Sequence, residues 1–274
     1  MVRKTEQPLD SNLSVMAFYD ALAPEYDEMT GFQKRFVHEK PFFRLLVEKF
    51  GIRTALDAGC GTGFHSFLLA QLGVDVTAAD ISPEMLKIVR RHAKELGANV
   101  KVVESSFQSL PRLVPQAFDA VVSMGNSLAH LLTADELRAS LECFSSILKP
   151  GGVLFLQNLN YDRILAHRER VQSVKEHGEK TFVRFYDYTE SGVSFNILTI
   201  DKSNPSTQQS LRSVPLRPIL KDELLETLRE CRFEELKAYG SISMEEFQTE
   251  VSKDLVVLAR TKAEGKHTRP AISQ

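Results

Sequence analysis

The sequence predicts an α/β fold: a mostly parallel sheet with helices on both faces and an antiparallel β lobe inserted late in the chain. Three observations lead there. The 274 residues alternate strand-like and helix-like segments from Thr54 to Gln157, a pattern that builds parallel sheet. A glycine turn, Gly59-Cys-Gly-Thr-Gly63, joins the first of these strands to the first helix after it. After residue 180 the alternation gives way to two β-rich runs, Thr181–Tyr188 and Val193–Ile200, about Glu190-Ser-Gly192, which read as an antiparallel hairpin.

Taken in order, residues 1–50 form a helical arm. Phe36, Val37, Phe43, Leu46, Val47 and Phe50 recur at helix-like intervals within 14–50, and a break is expected near Pro24. Residues 51–160 form the core. Thr54–Ala58 is a short buried strand, Phe64–Leu72 an amphipathic helix and Val74–Ala79 a second strand. Ser82-Pro83 opens the next helix with a capping residue and a first-turn proline. Strands follow at Val100–Glu104 and Phe118–Ser123; a helix from Ala134 to Leu148 stops at Lys149-Pro-Gly-Gly152, before a strand at Val153–Gln157. Residues 161–217 are the inserted β-rich lobe, placed to cover a site and select its substrate, or to serve as an oligomer contact or sheet extension. Residues 218–262 return to the core through a helix, Lys221–Cys231, and strands near Phe233–Tyr239 and Leu255–Arg260. The polar tail, 263–274, is expected to be disordered.

Composition excludes several classes. With 43% hydrophobic and 26% charged residues the chain is of ordinary globular type. A formal net charge of −2 gives no electrostatic reason to expect nucleic acid or an anionic membrane as partner. Cys60, Cys143 and Cys231 are widely spaced and odd in number, against a disulfide framework or zinc cluster and in keeping with a cytoplasmic location; no metal is expected. The first residues, Met1–Pro8, lack the apolar core of a signal peptide, and no run reaches membrane-spanning length. Homo-oligomerisation stays open.

The glycine turn carries the ligand chemistry. Glycines there let backbone N–H groups and a helix N-terminus face a nucleotide-like molecule. Asp80, about twenty residues on at the end of the second strand, suits a ribose diol. A tight turn with no ligand is the bland alternative. A nicotinamide site usually shows G-x-G-x-x-G, whereas Asp57, Gly59, Gly61 and Gly63 make D-x-G-x-G-x-G. That form resembles the class I S-adenosylmethionine-dependent methyltransferases, of which Lys149-Pro-Gly-Gly152 is a frequent mark. The resemblance implies a Rossmann-like seven-stranded sheet with an antiparallel last strand, S-adenosyl-L-methionine as cofactor and S-adenosyl-L-homocysteine as product. It assigns the cofactor to Asp57, Gly59, Cys60, Gly61, Gly63, Asp80, Ile81 and Met85, with Ser106 at the adenine edge and Phe107 stacked on the base. Met85 and Phe107 have a plain core role as the alternative. Phe18–Asp27 resembles the tyrosine-bearing arm that folds over the cofactor in many small-molecule methyltransferases, through Tyr19 and Tyr26.

A closer resemblance covers residues from about 30 to 240. Phe118–His130, Lys149–Gly152 and Asn160–Leu165 look like the glycine and sarcosine N-methyltransferase group. By that resemblance Asn126 orients a small-molecule acceptor, while Met124, Ser127 and His130 line the cofactor's methionine end. Arg35 holds the cofactor carboxylate, a task suited to a guanidinium; an exposed helix arginine is its alternative. Arg212, then Arg217, are the choices for an acceptor carboxylate. Pro215 and Leu216 replace a tyrosine pair of that pattern, which leaves room for a larger or more apolar acceptor than glycine. The reaction expected is methyl transfer to a small amine, with His130 or Tyr26 available to help remove a proton if the acceptor is a hydroxyl. O- or C-methylation on the same fold, and a cofactor-binding homologue without activity, are the other readings.

Overall fold

Apolar residues on both faces of the central strands force helices onto both sides of the sheet. In the computed structural model, which describes residues 11–114, 117–189, 192–203 and 207–263, strand β1 (Thr54–Ala58) turns Leu56 to one helix layer and Ala55 to the other. Strands β5 (Leu148–Leu159) and β11 (Asp254–Thr261) do the same with Leu154 and Leu156 against Val153 and Phe155, and with Leu255 and Val257 against Val256 and Leu258. With β2 (Asp75–Asp80), β3 (Val100–Glu104), β4 (Phe118–Ser123) and β10 (Phe233–Tyr239) they form the predicted seven-stranded Rossmann-like sheet, in the order β10-β11-β5-β4-β1-β2-β3. Only β11 runs antiparallel to its neighbours.

Helices α2 (Phe32–Phe50), α3 (Phe64–Ala70) and α4 (Pro83–Leu96) cover one face. The short α5 (Leu110–Leu113), α6 (Ala134–Ile147) and α8 (Lys221–Glu230) cover the other. Sequence signals set the ends of two of them. Ser82 caps α4 by accepting from Met85 N–H at 3.1 Å, with Pro83 next, and Thr133 and Glu136 form a reciprocal capping box on α6.

One expectation needs correction. Pro24 does not break the arm: α1 (Ser11–Thr30) runs through it, and the interruption falls at Gly31, which is left-handed at φ 74°. A proline inside a helix loses one N–H and crowds the carbonyl four residues back, and here Phe18, Leu22 and Met29 bury one side of α1 well enough to hold the helix. The inserted lobe is present over the expected span, with two strands beyond the predicted hairpin. After α7 (Tyr161–His167) come four antiparallel strands, β6 (Val171–His177), β7 (Lys180–Thr189), β8 (Gly192–Asp201) and β9 (Gln208–Leu216), paired in that order. The outer two are polar edge strands whose composition hides them. The predicted hairpin residues Glu190 and Ser191, the 204–206 stretch, the N-terminal 1–10 and the tail from 264 lie outside the described residues.

Phe182, Ile197 and Val214 of the lobe pack against Val15, Phe18, Leu22 and Met29 of α1. On its other side α1 meets α4, Ala23 packing with Met85 and Ile88. The arm is therefore clamped between lobe and core, directly over the carboxyl ends of the central strands.

Gly63 shows how tightly the turn beneath is built. Its φ is 87°, and a Cβ there would stand 2.8 Å from the ring of the fully buried Phe67. Gly63→Ala is expected to destabilise the protein by roughly 2–5 kcal/mol, combining left-handed strain with overpacking. Denaturant unfolding measures it, and an unchanged midpoint would contradict the packing described here.

Candidate active site

The central order of the sheet reverses between β1 and β4, and in open α/β sheets the crevice outside such a point is where ligands bind. Gly59 and Cys60 both donate N–H to the Ala79 carbonyl, at 2.8 and 3.0 Å, tying the glycine turn to the end of β2. Asp80 sits next to it. Its Oδ2 accepts from Gly61 N–H at 2.8 Å and its Oδ1 from Ser82 N–H at 2.9 Å. Burial pushes the carboxyl up to about 6, against the pull of those two hydrogen bonds, and no cation pairs with it among the described residues.

A cavity opens beside this turn, lined by Tyr26, Gly59, Gly61, Asp80 and Ile81 on one side. Ser106, Phe107, Met124, Ser127 and His130 line the other. These ten residues, all singled out from the sequence, come together. Five others do not line it. Met85 is fully buried between α4 and α1 and belongs to the core. Asp57, also buried, accepts from Ser66 Oγ at 2.6 Å inside the fold. Cys60 and Gly63 shape the turn from beneath. Arg35 is committed elsewhere: it donates to Glu39 Oε1 at 2.7 Å and its guanidinium lies 4.0 Å from the centre of the Phe64 ring. Glu39 also bonds His65 at 2.9 Å; although its burial disfavours charge, His65 and Arg35 hold its carboxyl below the ordinary value.

The cavity has the marks of a nucleoside site. A Cβ at Gly59 would stand 2.8 Å from Ser127 Oγ, so the bare glycine is what lets the backbone run along the cavity floor. The Asp80 carboxylate, satisfied by one N–H on each oxygen, keeps lone pairs for the two hydroxyls of a ribose.

A second cavity of about 610 Å³ lies between the core, α1 and the inserted lobe. Tyr19, Tyr26, Gly125 and His130 line both cavities and mark their junction. There the Tyr19 hydroxyl and His130 Nε2 are 2.8 Å apart. Burial pulls the imidazole down to about 4 and pushes the Tyr19 hydroxyl well above its ordinary value. Asn126, at φ 73°, fixes the turn beside them: its Nδ2 donates to the Tyr161 hydroxyl at 2.8 Å and its Oδ1 accepts from Leu159 N–H at 3.1 Å.

Known proteins resemble this chain in sequence and fold. A methyltransferase domain family matches residues 55–152. The glycine/sarcosine N-methyltransferase of Halorhodospira halochloris is 31% identical over 235 residues, covering 81% of each chain. The chain belongs to the S-adenosylmethionine-dependent methyltransferases, in the glycine/sarcosine N-methyltransferase group. A second such enzyme, from Aphanothece halophytica, is 29% identical over 232 residues, 84% of this chain and 85% of that one. Among solved structures, an S-adenosylmethionine-dependent methyltransferase from Clostridium acetobutylicum has the same fold, with a TM-score of 0.77 at 16% identity over 89% of this chain and 99% of that one.

In this methyltransferase the arginines chosen from the sequence for an acceptor lie off the second cavity. Arg212 donates to Glu25 Oε2 of α1 at 3.2 Å, and Arg217 pairs with Glu223 at the start of α8. Arg163 and Arg184 line the cavity instead. Arg163 faces Glu169 at 3.5 Å. Arg184 donates Nε to Ser173 Oγ at 2.7 Å and has no carboxylate partner among the described residues. Its signal in the sequence is a cation between Phe182 and Tyr186, whose alternation with it places all three on the lobe's inner face. Tyr161 and Gln157 behind Asn126 carry no motif of their own, although both fall within or beside the recognised blocks.

Proposed function

We propose that this methyltransferase methylates the nitrogen of a small amine that carries an anionic group. The observation behind this reading is the junction of the two cavities, where none of the shared side chains Tyr19, Tyr26 and His130 is tuned to deprotonate a hydroxyl. A His130 that titrates near 4 is a weak base at neutral pH, and the Tyr19 hydroxyl keeps its proton. An amine needs no such base, because in its neutral form it brings its own lone pair. The relatives named for glycine and sarcosine point to the same acceptor atom.

Bound S-adenosylmethionine supplies a sulfonium methyl, which forms a bond to the acceptor nitrogen as its bond to sulfur breaks and the electron pair stays on sulfur. The protein's part is to align and enclose. Asp80 holds the ribose, the Gly59–Gly61 backbone lies along the cofactor, Ser106 and Phe107 meet the adenine, and Met124, Ser127 and His130 line the methionine end. Tyr19 and Tyr26, carried over the junction by α1, keep water out. Asn126 holds the Gly125 backbone at the junction, and Arg184 takes the acceptor's anionic group.

The acceptor cavity, at about 610 Å³, lies within the range that holds drug-sized ligands, so acceptors longer than glycine fit. The deciding experiment is methyl transfer from labelled S-adenosylmethionine to matched acid and amide pairs: glycine and glycinamide, sarcosine and its amide, 4-aminobutanoate and its amide. Phenols and alcohols complete the panel, and mass spectrometry locates the new methyl. N-methylation that favours the acids over their amides is the expected outcome; O-methylation, or equal rates on both members of each pair, overturns this reading.

A further inference from the structure

The acceptor cavity holds a second unbalanced charge. Asp254, at the first residue of β11, lines it. The other acid on its wall, Glu169, faces Arg163, whereas Asp254 has no ion-pair partner among the described residues. The neighbouring Lys253 also reaches the cavity, but no ion pair joins the two. Burial raises the Asp254 carboxyl above its ordinary value, against a hydrogen bond from Gln157 and the charge of Lys253.

One side chain links Asp254 to the junction. Gln157 Nε2 donates to Asp254 Oδ1 at 2.9 Å, and Gln157 Oε1 accepts from Gly125 N–H at 2.7 Å. Gly125 lines both cavities. The carboxylate therefore stands one glutamine away from the backbone at which cofactor and acceptor meet, with no hydrogen bond to its second oxygen among the described residues.

We propose that Asp254 is a catalytic residue: Oδ2 accepts an N–H of the acceptor amine, turns the lone pair toward the cofactor and stabilises the positive charge that nitrogen gains. The proposal rests on the reading that nitrogen is the acceptor atom. A neutral amine gives one N–H to the carboxylate and keeps its lone pair for the methyl carbon. During transfer the charge that leaves sulfur arrives on nitrogen, and the methylated ammonium then releases its proton to solvent. The attraction to Asp254 grows as that charge develops, so it lowers the barrier more than it strengthens substrate binding. A hydroxyl that loses its proton on methylation ends neutral and gains nothing lasting from the same carboxylate.

Asp254→Asn tests this, because the asparagine oxygen still accepts from Gln157 and leaves the Gly125 backbone in place. With the fastest amine of the acid and amide panel, kcat is expected to fall about 10- to 100-fold, while acceptor KM, S-adenosylmethionine Kd and Tm change little. An unchanged kcat, or a loss of cofactor affinity equal to the loss of rate, overturns the proposal. A second arm needs no turnover. The S-adenosylhomocysteine complex is titrated with trimethylammonium chloride and with tert-butanol, a neutral molecule of similar shape. The cation is expected to bind about tenfold more weakly to Asp254→Asn than to wild type, with tert-butanol unaffected; equal cation affinity in both proteins overturns the proposal. Should the wild type methylate only oxygen, the nitrogen reading fails by product mass, and the trimethylammonium titration still decides Asp254.

Discussion

Asp80→Ala is expected to weaken S-adenosylmethionine binding roughly 10- to 100-fold, equivalent to about 1.5–3 kcal/mol for hydrogen bonds to a charged group. Two contributions add. The ribose loses its acceptor, and Gly61 loses the carboxylate that now receives its N–H at 2.8 Å, so the turn is held less firmly. The wild type carries a pH signature of the same role. Burial pushes the Asp80 carboxyl up to about 6, above the ordinary carboxyl value, and the ionised form is the stronger acceptor. Cofactor affinity should therefore be full at pH 7.5 and decline as pH falls through 6, whereas Asp80→Ala should follow a flatter profile. Titration calorimetry between pH 5 and 8, as roughly spans that transition, reads both; unchanged affinity in the variant would remove the ribose assignment.

Arg184→Met should lower kcat/KM for carboxylate-bearing amines by roughly 30- to 1000-fold, the scale on which truncating one partner of a desolvated charge pair is felt. Methionine keeps much of the length and apolar bulk while deleting the charge. Loss on each acid with little change on its amide, at constant cofactor Kd, is the expected pattern. Arg212→Ala is the control. Because Arg212 is engaged with Glu25 across the lobe and arm, both side chains mostly buried, its loss should lower stability by leaving Glu25 unpaired while acceptor KM stays within about twofold. A large KM effect in Arg212→Ala with none in Arg184→Met would reverse the two assignments.

These two arginines show where sequence reasoning stops. Both lie on the inward face of the lobe and flank the same position of the strand between them: Arg184 on β7 and Arg212 on β9 each stand opposite Ile197 on β8. Nothing local separates them. The difference is made by Glu25, which lies 187 residues before Arg212 and is brought to it only when α1 packs under the lobe. Asp254 is likewise silent in the sequence, an acid at the start of a strand, until β11 pairs with β5 and sets it beside Gln157, 97 residues earlier.

What the sequence determined by itself is local or follows from the repeating β-α-β geometry. The glycines that accept positive φ, the Ser82 and Thr133 caps, and the interval from the turn to Asp80 each depend on a few neighbouring residues or on one strand-helix-strand unit, and they made the fold and the cofactor half of the site legible. The second cavity, proposed for the acceptor, was decided by tertiary structure. It is assembled from α1, β5, α7, the lobe strands β6, β7, β8 and β9, and β11, and whether a charge there is neutralised or left facing the cavity depends on long-range packing that imposes no spacing on the chain.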